Sequence, residues 1–139
     1  MARVKVLMGL KGSGKTKQLI ELVTNALTVE HGHVVCIEKE RKLTFDIPSG
    51  ARLITASDYS FSGPELLKGF ISGLYAGNYD ITHIILDSLY KIAPFAGDVQ
   101  AVTAFLDWLN SFGDANNIKF TVSISADVNG ASEGIRKYF

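Results

Sequence analysis

The chain has 139 residues, 47% of them apolar, and 14 Lys plus Arg balance 14 Asp plus Glu for a formal net charge of zero. These values describe one domain able to bury a core without staples, and they exclude a disordered polar chain. Neutrality gives no general attraction to nucleic acid or to an anionic membrane, although a local basic patch stays open.

The lone cysteine, Cys36, sits in the apolar run Val34-Val35-Cys36-Ile37 and reads as a small buried hydrophobe. One cysteine makes no internal disulfide and no zinc pair. No apolar run approaches the ~20 residues of a membrane span. The strand pattern starts too soon after Met1 for a signal peptide. The expectation is a soluble, cytoplasmic, single domain over residues 1–139.

Residues 3–8 alternate and are rich in branched side chains, which predicts a first strand. A glycine-rich turn follows. Leu19, Ile20, Leu22, Val23, Ala26 and Leu27 form one stripe of a helix over 15–30, with Gly32 placed to stop it. Residues 33–38 read as a strand buried on both faces, as in a parallel sheet. Residues 38–50, with Pro48, read as loop, and 52–56 as a short strand. Ser62, Pro64 and Glu65 signal a helix start, and Leu66, Leu67, Phe70, Ile71 and Leu74 continue it to about Ala76. Residues 83–87 are another buried strand. Asp98 can cap a helix with core face Val99, Val102, Phe105, Leu106, Leu109 and Phe112. Residues 119–125 are the last clear strand, and 133–139 a terminal helical turn. Strands alternating with helical stripes imply an α/β fold, a three-layer α/β/α sandwich on a mainly parallel sheet of about five strands.

Gly9-Leu10-Lys11-Gly12-Ser13-Gly14-Lys15-Thr16 matches the phosphate-loop pattern G-x-x-x-x-G-K-[ST] at every fixed position. It follows a predicted strand and opens a predicted helix, the arrangement this chemistry needs. Glycines such as Gly9, Gly12 and Gly14 let the backbone approach a phosphate with no Cβ in the way. Successive amides, Ser13 included, then form an anion nest, and the helix start adds to that field. Lys15 can reach the β- and γ-phosphates, Lys11 can screen phosphate charge, and Thr16 can place its hydroxyl on Mg²⁺.

Ile84-Ile85-Leu86-Asp87 is an apolar strand ending in an acid, which suits Asp87 as the second magnesium partner. Glu38 or Glu40, at the end of strand 33–38, could orient an attacking water; both also lie in a charged run that would serve as a solvated face. Ser123, Ser125 and Asp127 could sense a γ-phosphate. His31, His33 and His83 lack metal-ligand spacing. Arg136 and Lys137 could reach a neighbour's nucleotide, but an exposed tail is the plainer reading. The spacing of Phe105, Trp108 and Phe112 favours core packing over base stacking.

On Gly9–Thr16 together with Ile84–Asp87 the chain resembles the P-loop NTPase superfamily. The strand Val-Val-Cys-Ile-Glu and the strand end Ile-Leu-Asp-Ser look like RecA/KaiC-type ATPases. That resemblance implies ATP, Mg²⁺, frequent ring or filament assembly, and strand 119–125 inserted between the strands bearing Gly9 and Asp87. The chain is also similar to short bacterial P-loop proteins often labelled twitching-motility ATPases. The likeness lies in Thr-Lys-Gln-Leu-Ile after the loop, Asn-Tyr-Asp-Ile, and Ser-Ile-Ser-Ala-Asp. The histidine boxes of pilus and secretion ATPases do not occur. No guanine-reading Asn-Lys-x-Asp is present, which favours ATP over GTP.

The expected function is thus a Mg-ATP-binding ATPase or ATP-driven switch, working with a protein partner or as a homo-oligomer. Two alternatives stay open. One is a small-molecule kinase, with loop 39–51 and its Arg41, Lys42 and the adjacent Arg52 as a short lid. The other is a module that binds nucleotide without hydrolysing it.

Overall fold

A computed structural model describes residues 3–10, 12–40 and 47–139. Its elements are β1 (Val4–Gly9), α1 (Lys15–Val29), β2 (His33–Glu38), β3 (Arg52–Thr55), α2 (Pro64–Gly77), β4 (Ile81–Leu86), α3 (Leu89–Ile92), α4 (Val99–Asn116), β5 (Lys119–Ser125) and α5 (Glu133–Arg136). The five strands form one all-parallel sheet in the order β1-β5-β4-β2-β3. Strand β5 therefore lies between β1 and β4, the insertion that the resemblance implies. The residues named as a possible lid, Arg41 and Lys42, fall outside the described residues.

The alternation along each strand builds two cores. On one face Val35 and Ile37 of β2, Ile84 and Leu86 of β4, and Phe120, Val122 and Ile124 of β5 pack with Leu67 and Ile71 of α2 and Phe105, Leu106 and Leu109 of α4. On the other face Val34, Cys36 and Ile85 pack with Leu19, Val23 and Ala26 of α1. The helices thus cover the sheet unequally, α2 and α4 on one side and α1 on the other. Trp108 stacks on Phe112 with ring centroids 4.9 Å apart, so the aromatic spacing serves packing. Cys36 is fully buried, and burial beside Asp87 and Glu38 pushes its thiol well above the ordinary range.

Four local expectations change. Strand β4 starts at Ile81 and ends at Leu86, so Asp87 stands one residue past it. The cap of α2 is Gly63 rather than Ser62, and Pro64 occupies the first helical position, where its missing N–H costs nothing. Val99 is 51% exposed, because residues 96–100 are all exposed and α4 begins outside the packed layer. Helix α1 ends with Glu30 in extended conformation, so Gly32 is not its stop. Gly32 instead admits a close approach: a Cβ there would lie 2.2 Å from the Asp80 carbonyl oxygen. Asp98 does cap α4, its Oδ1 accepting the Ala101 amide proton at 3.1 Å.

Among the described residues no helix is long and apolar enough to cross a membrane.

Candidate functional site

Every strand runs the same way, so Gly9, Glu38, Leu86 and Ser125 end on one edge of the sheet. In an open parallel sheet this edge, between strands whose connections diverge, is where ligands sit.

The glycine-rich turn leaves β1 at Gly9, which is buried; a Cβ there would meet Ser13 Oγ at 2.4 Å. Gly12 and Gly14 adopt φ of 87° and 89°, conformations that only glycine takes readily. Ser13 N–H donates to Leu10 O at 3.0 Å and closes the turn. Gly14 is then the N-cap of α1 and offers no side chain to cap it. The first four amides of a helix have no intrahelical acceptor. Here they belong to Gly14, Lys15, Thr16 and Lys17, and the first amide satisfied by the helix is that of Gln18, on Gly14 O at 3.1 Å. The first turn holds no acid and carries Lys15 and Lys17. Lysines at the positive end of a helix are unfavourable alone and become favourable beside an anion. The Lys15 ammonium is folded back over the turn, donating to Leu10 O at 3.2 Å. Thr16 is exposed on the same turn. Lys11 lies outside the described residues.

Two strands away, Asp87 is half-buried just past β4, and its amide donates to Ile37 O on β2 at 2.9 Å. Its Oδ1 accepts from Ser123 Oγ at 2.9 Å, and the same Oγ accepts the Ser88 amide proton at 2.7 Å. Ser88 holds a left-handed backbone, φ 59° and ψ 68°, that carries the chain from β4 into α3. Since Leu86 pairs with Val122 and Leu7 with Ser123, Asp87 is level with Leu7, two residues short of Gly9. Two strand spacings put it about 10 Å from β1.

Glu38, the last residue of β2, is 2% exposed; Glu40, two residues on, is exposed. Both have interaction partners in the fold. Glu38, Lys39, Glu40, Asp87, Ser88 and Lys91 line one cleft of about 320 Å³. The structure thus gathers Glu38, Glu40 and Asp87 around one space, and sets the glycine-rich turn across β5 from it. Lys39, Ser88 and Lys91 are the lining residues that sequence reasoning missed. A basic residue at a strand end carries no pattern, and the short α3 that brings Lys91 has only the Leu89–Ile92 spacing to announce it.

The other sequence candidates lie elsewhere or serve the fold. Ser123 is 1% exposed and bonded to Asp87. The Asp127 carboxylate accepts the Asn129 amide proton and caps a short turn. Arg136 donates to Ala131 O at 3.0 Å and Val128 O at 2.8 Å, and Lys137 pairs with Asp107 at 2.8 Å, so the tail is fastened to its own chain. His83 is buried on the α1 side, its Nε2 2.9 Å from Thr121 Oγ1. Burial lowers its pKa to about 4, with Glu30 opposing the shift and Lys119 adding to it.

The oxygen donors Thr16 and Asp87 suit a hard cation that keeps waters and phosphate oxygens as its remaining ligands, as Mg²⁺ does. Among the described residues no cluster of three or more His, Cys, Asp or Glu could hold a metal without such help. No family model and no curated protein matches the chain.

Proposed function

We propose that this chain binds Mg-ATP at the glycine-rich turn and hydrolyses it slowly, as an ATPase or ATP-driven switch of the P-loop type. One observation carries the reading. A helix start without a cap, with glycines at positive φ and two lysines in its first turn, is electrostatically incomplete until an anion occupies it.

In this reading the amides of residues 14–17 and the Lys15 ammonium hold the β- and γ-phosphates. Thr16 and Asp87 supply the protein oxygens for Mg²⁺, which when bound neutralises phosphate charge. Glu38 orients a water in the cleft and accepts its proton as the water oxygen bonds to the γ-phosphorus and the ADP oxygen leaves. Burial and its position at a strand end favour Glu38 over Glu40 for this task. Arg136 and Lys137 are engaged within the chain, so this reading does not draw an arginine finger from the tail and assigns it to a protein partner or a second copy. Such a residue is worth about 10³–10⁵ in rate, and isolated turnover is accordingly slow.

Isothermal titration with ATP, with and without Mg²⁺, tests the reading. Saturable binding that Mg²⁺ strengthens is expected. No heat at millimolar nucleotide would overturn it.

A second reading, phosphoryl transfer to a small acceptor, draws on the cleft itself. At about 320 Å³, with Lys39 and Lys91 on its wall, it has room for a small anionic molecule beside the γ-phosphate position. ADP release that accelerates with an acceptor from a metabolite panel would favour it.

A further inference from the structure

The hydroxyl of Ser123 does something that the proposed chemistry does not require of it. It lies on the middle strand of the site, 1% exposed, and bonds both to the side chain of Asp87 and to the backbone of Ser88. A serine hydroxyl has a single proton to give. Here it goes to Asp87 Oδ1, while the Ser88 amide takes up an acceptor position on the same oxygen. No proton is left for a phosphate, so the sensing role expected from sequence does not fit Ser123. The second carboxylate oxygen, Oδ2, has no hydrogen bond or ion pair among the described residues. Ser88 meanwhile sits in a left-handed conformation that a non-glycine residue keeps only when its surroundings hold it.

We propose that Ser123 is a positioning residue for magnesium: by binding Asp87 Oδ1 and the Ser88 amide together, it locks the turn after β4 and leaves Oδ2 as the one oxygen offered to the ion or its water shell. The inference rests on the Mg-ATP reading. Groups that orient a metal's own ligand typically change metal affinity about 10–100-fold when removed.

Calorimetric titration of ATP with and without Mg²⁺ tests it in the wild type, Ser123→Ala, Asp87→Asn and the double variant. Binding of Mn²⁺ to the nucleotide complex, followed by electron paramagnetic resonance, gives a second readout. Ser123→Ala is expected to cut the affinity gained from Mg²⁺ about tenfold or more, to leave Mg²⁺-free affinity unchanged, and to add no further loss to Asp87→Asn. Ser123→Cys, close in size but a much weaker donor and acceptor, should show the same loss and serves if the alanine variant does not fold. A full Mg²⁺ gain in both Ser123 variants, an equal loss with and without Mg²⁺, or losses that add in the double variant would each overturn the role. A wild type that gains nothing from Mg²⁺ overturns the underlying reading as well. A wild-type gain that the Ser123 variants preserve overturns this inference alone.

Discussion

Lys15 bends over the turn that precedes it, and its Nζ donates to the carbonyl oxygen of Leu10 at 3.2 Å. One neutral oxygen is a weak partner for an ammonium, and in the Mg-ATP reading a triphosphate would outcompete it. Lys15→Ala should therefore lower ATP affinity by about 100-fold or more while thermal unfolding stays nearly unchanged, since the side chain packs into neither core. Titration calorimetry beside a melting curve checks both; equal affinities would remove Lys15 from the site.

Glu38 and Glu40 differ sharply in setting, one buried at a strand end and the other exposed. In single-turnover hydrolysis Glu38→Gln should slow the reaction by about 10²–10⁴ with nucleotide affinity intact. Glu40→Gln should change it less than about tenfold. The opposite ranking would transfer the water-orienting role to Glu40.

His83 makes stability depend on pH. Its ordinary pKa of 6.5 falls to about 4 in the fold, chiefly through burial among Thr121, Glu30 and Lys119. Between those values the unfolded chain binds a proton that the folded chain refuses. Stability is then complete above about pH 6.5 and declines as pH drops toward 4, by up to about 3 kcal/mol. Urea unfolding from pH 7.5 to 4 should show this slope, and His83→Gln should flatten it. A wild-type profile level over that range would contradict the burial argument.

Two glycines make a contrasting pair. At Gly32 a methyl group would strike the Asp80 carbonyl at 2.2 Å, whereas at Gly73, inside α2, it meets nothing within 4 Å. Gly32→Ala should cost more than about 2 kcal/mol, the upper range of ordinary point changes. Gly73→Ala should be neutral or stabilise by up to about 1 kcal/mol. Denaturant midpoints decide; similar values for the two would mean that the β4 entry turn yields easily.

What the sequence discloses follows from how local the cause is. The runs Val34–Ile37 and Ile84–Leu86 announce buried parallel strands because both faces are covered, and Asp98 announces its helix because a cap acts within three residues. Gly12 and Gly14 announce their turn because the backbone conformation itself demands them, and Gly9 because a Cβ there would strike Ser13. The meaning of Gly32 is hidden, since its cause is Asp80, on the turn before another strand. The bonds that Ser123 makes are hidden for the same reason: its partners lie 35 and 36 residues away. The cleft depends on β2 and β4 lying side by side, a pairing that no local pattern specifies.

Among the described residues, the strand that feeds the glycine-rich turn has a sheet neighbour on one side only. Along its other rim the Val6 amide is fastened to Tyr138 O at 2.7 Å, and the Tyr138 ring is moored in turn to Asp107 by its hydroxyl. Losing Tyr138 from that rim would leave the Val6 amide without its acceptor, on an edge strand beside the glycine-rich turn. The C-terminal residues thus cover part of an edge that would otherwise be open to pairing with another strand.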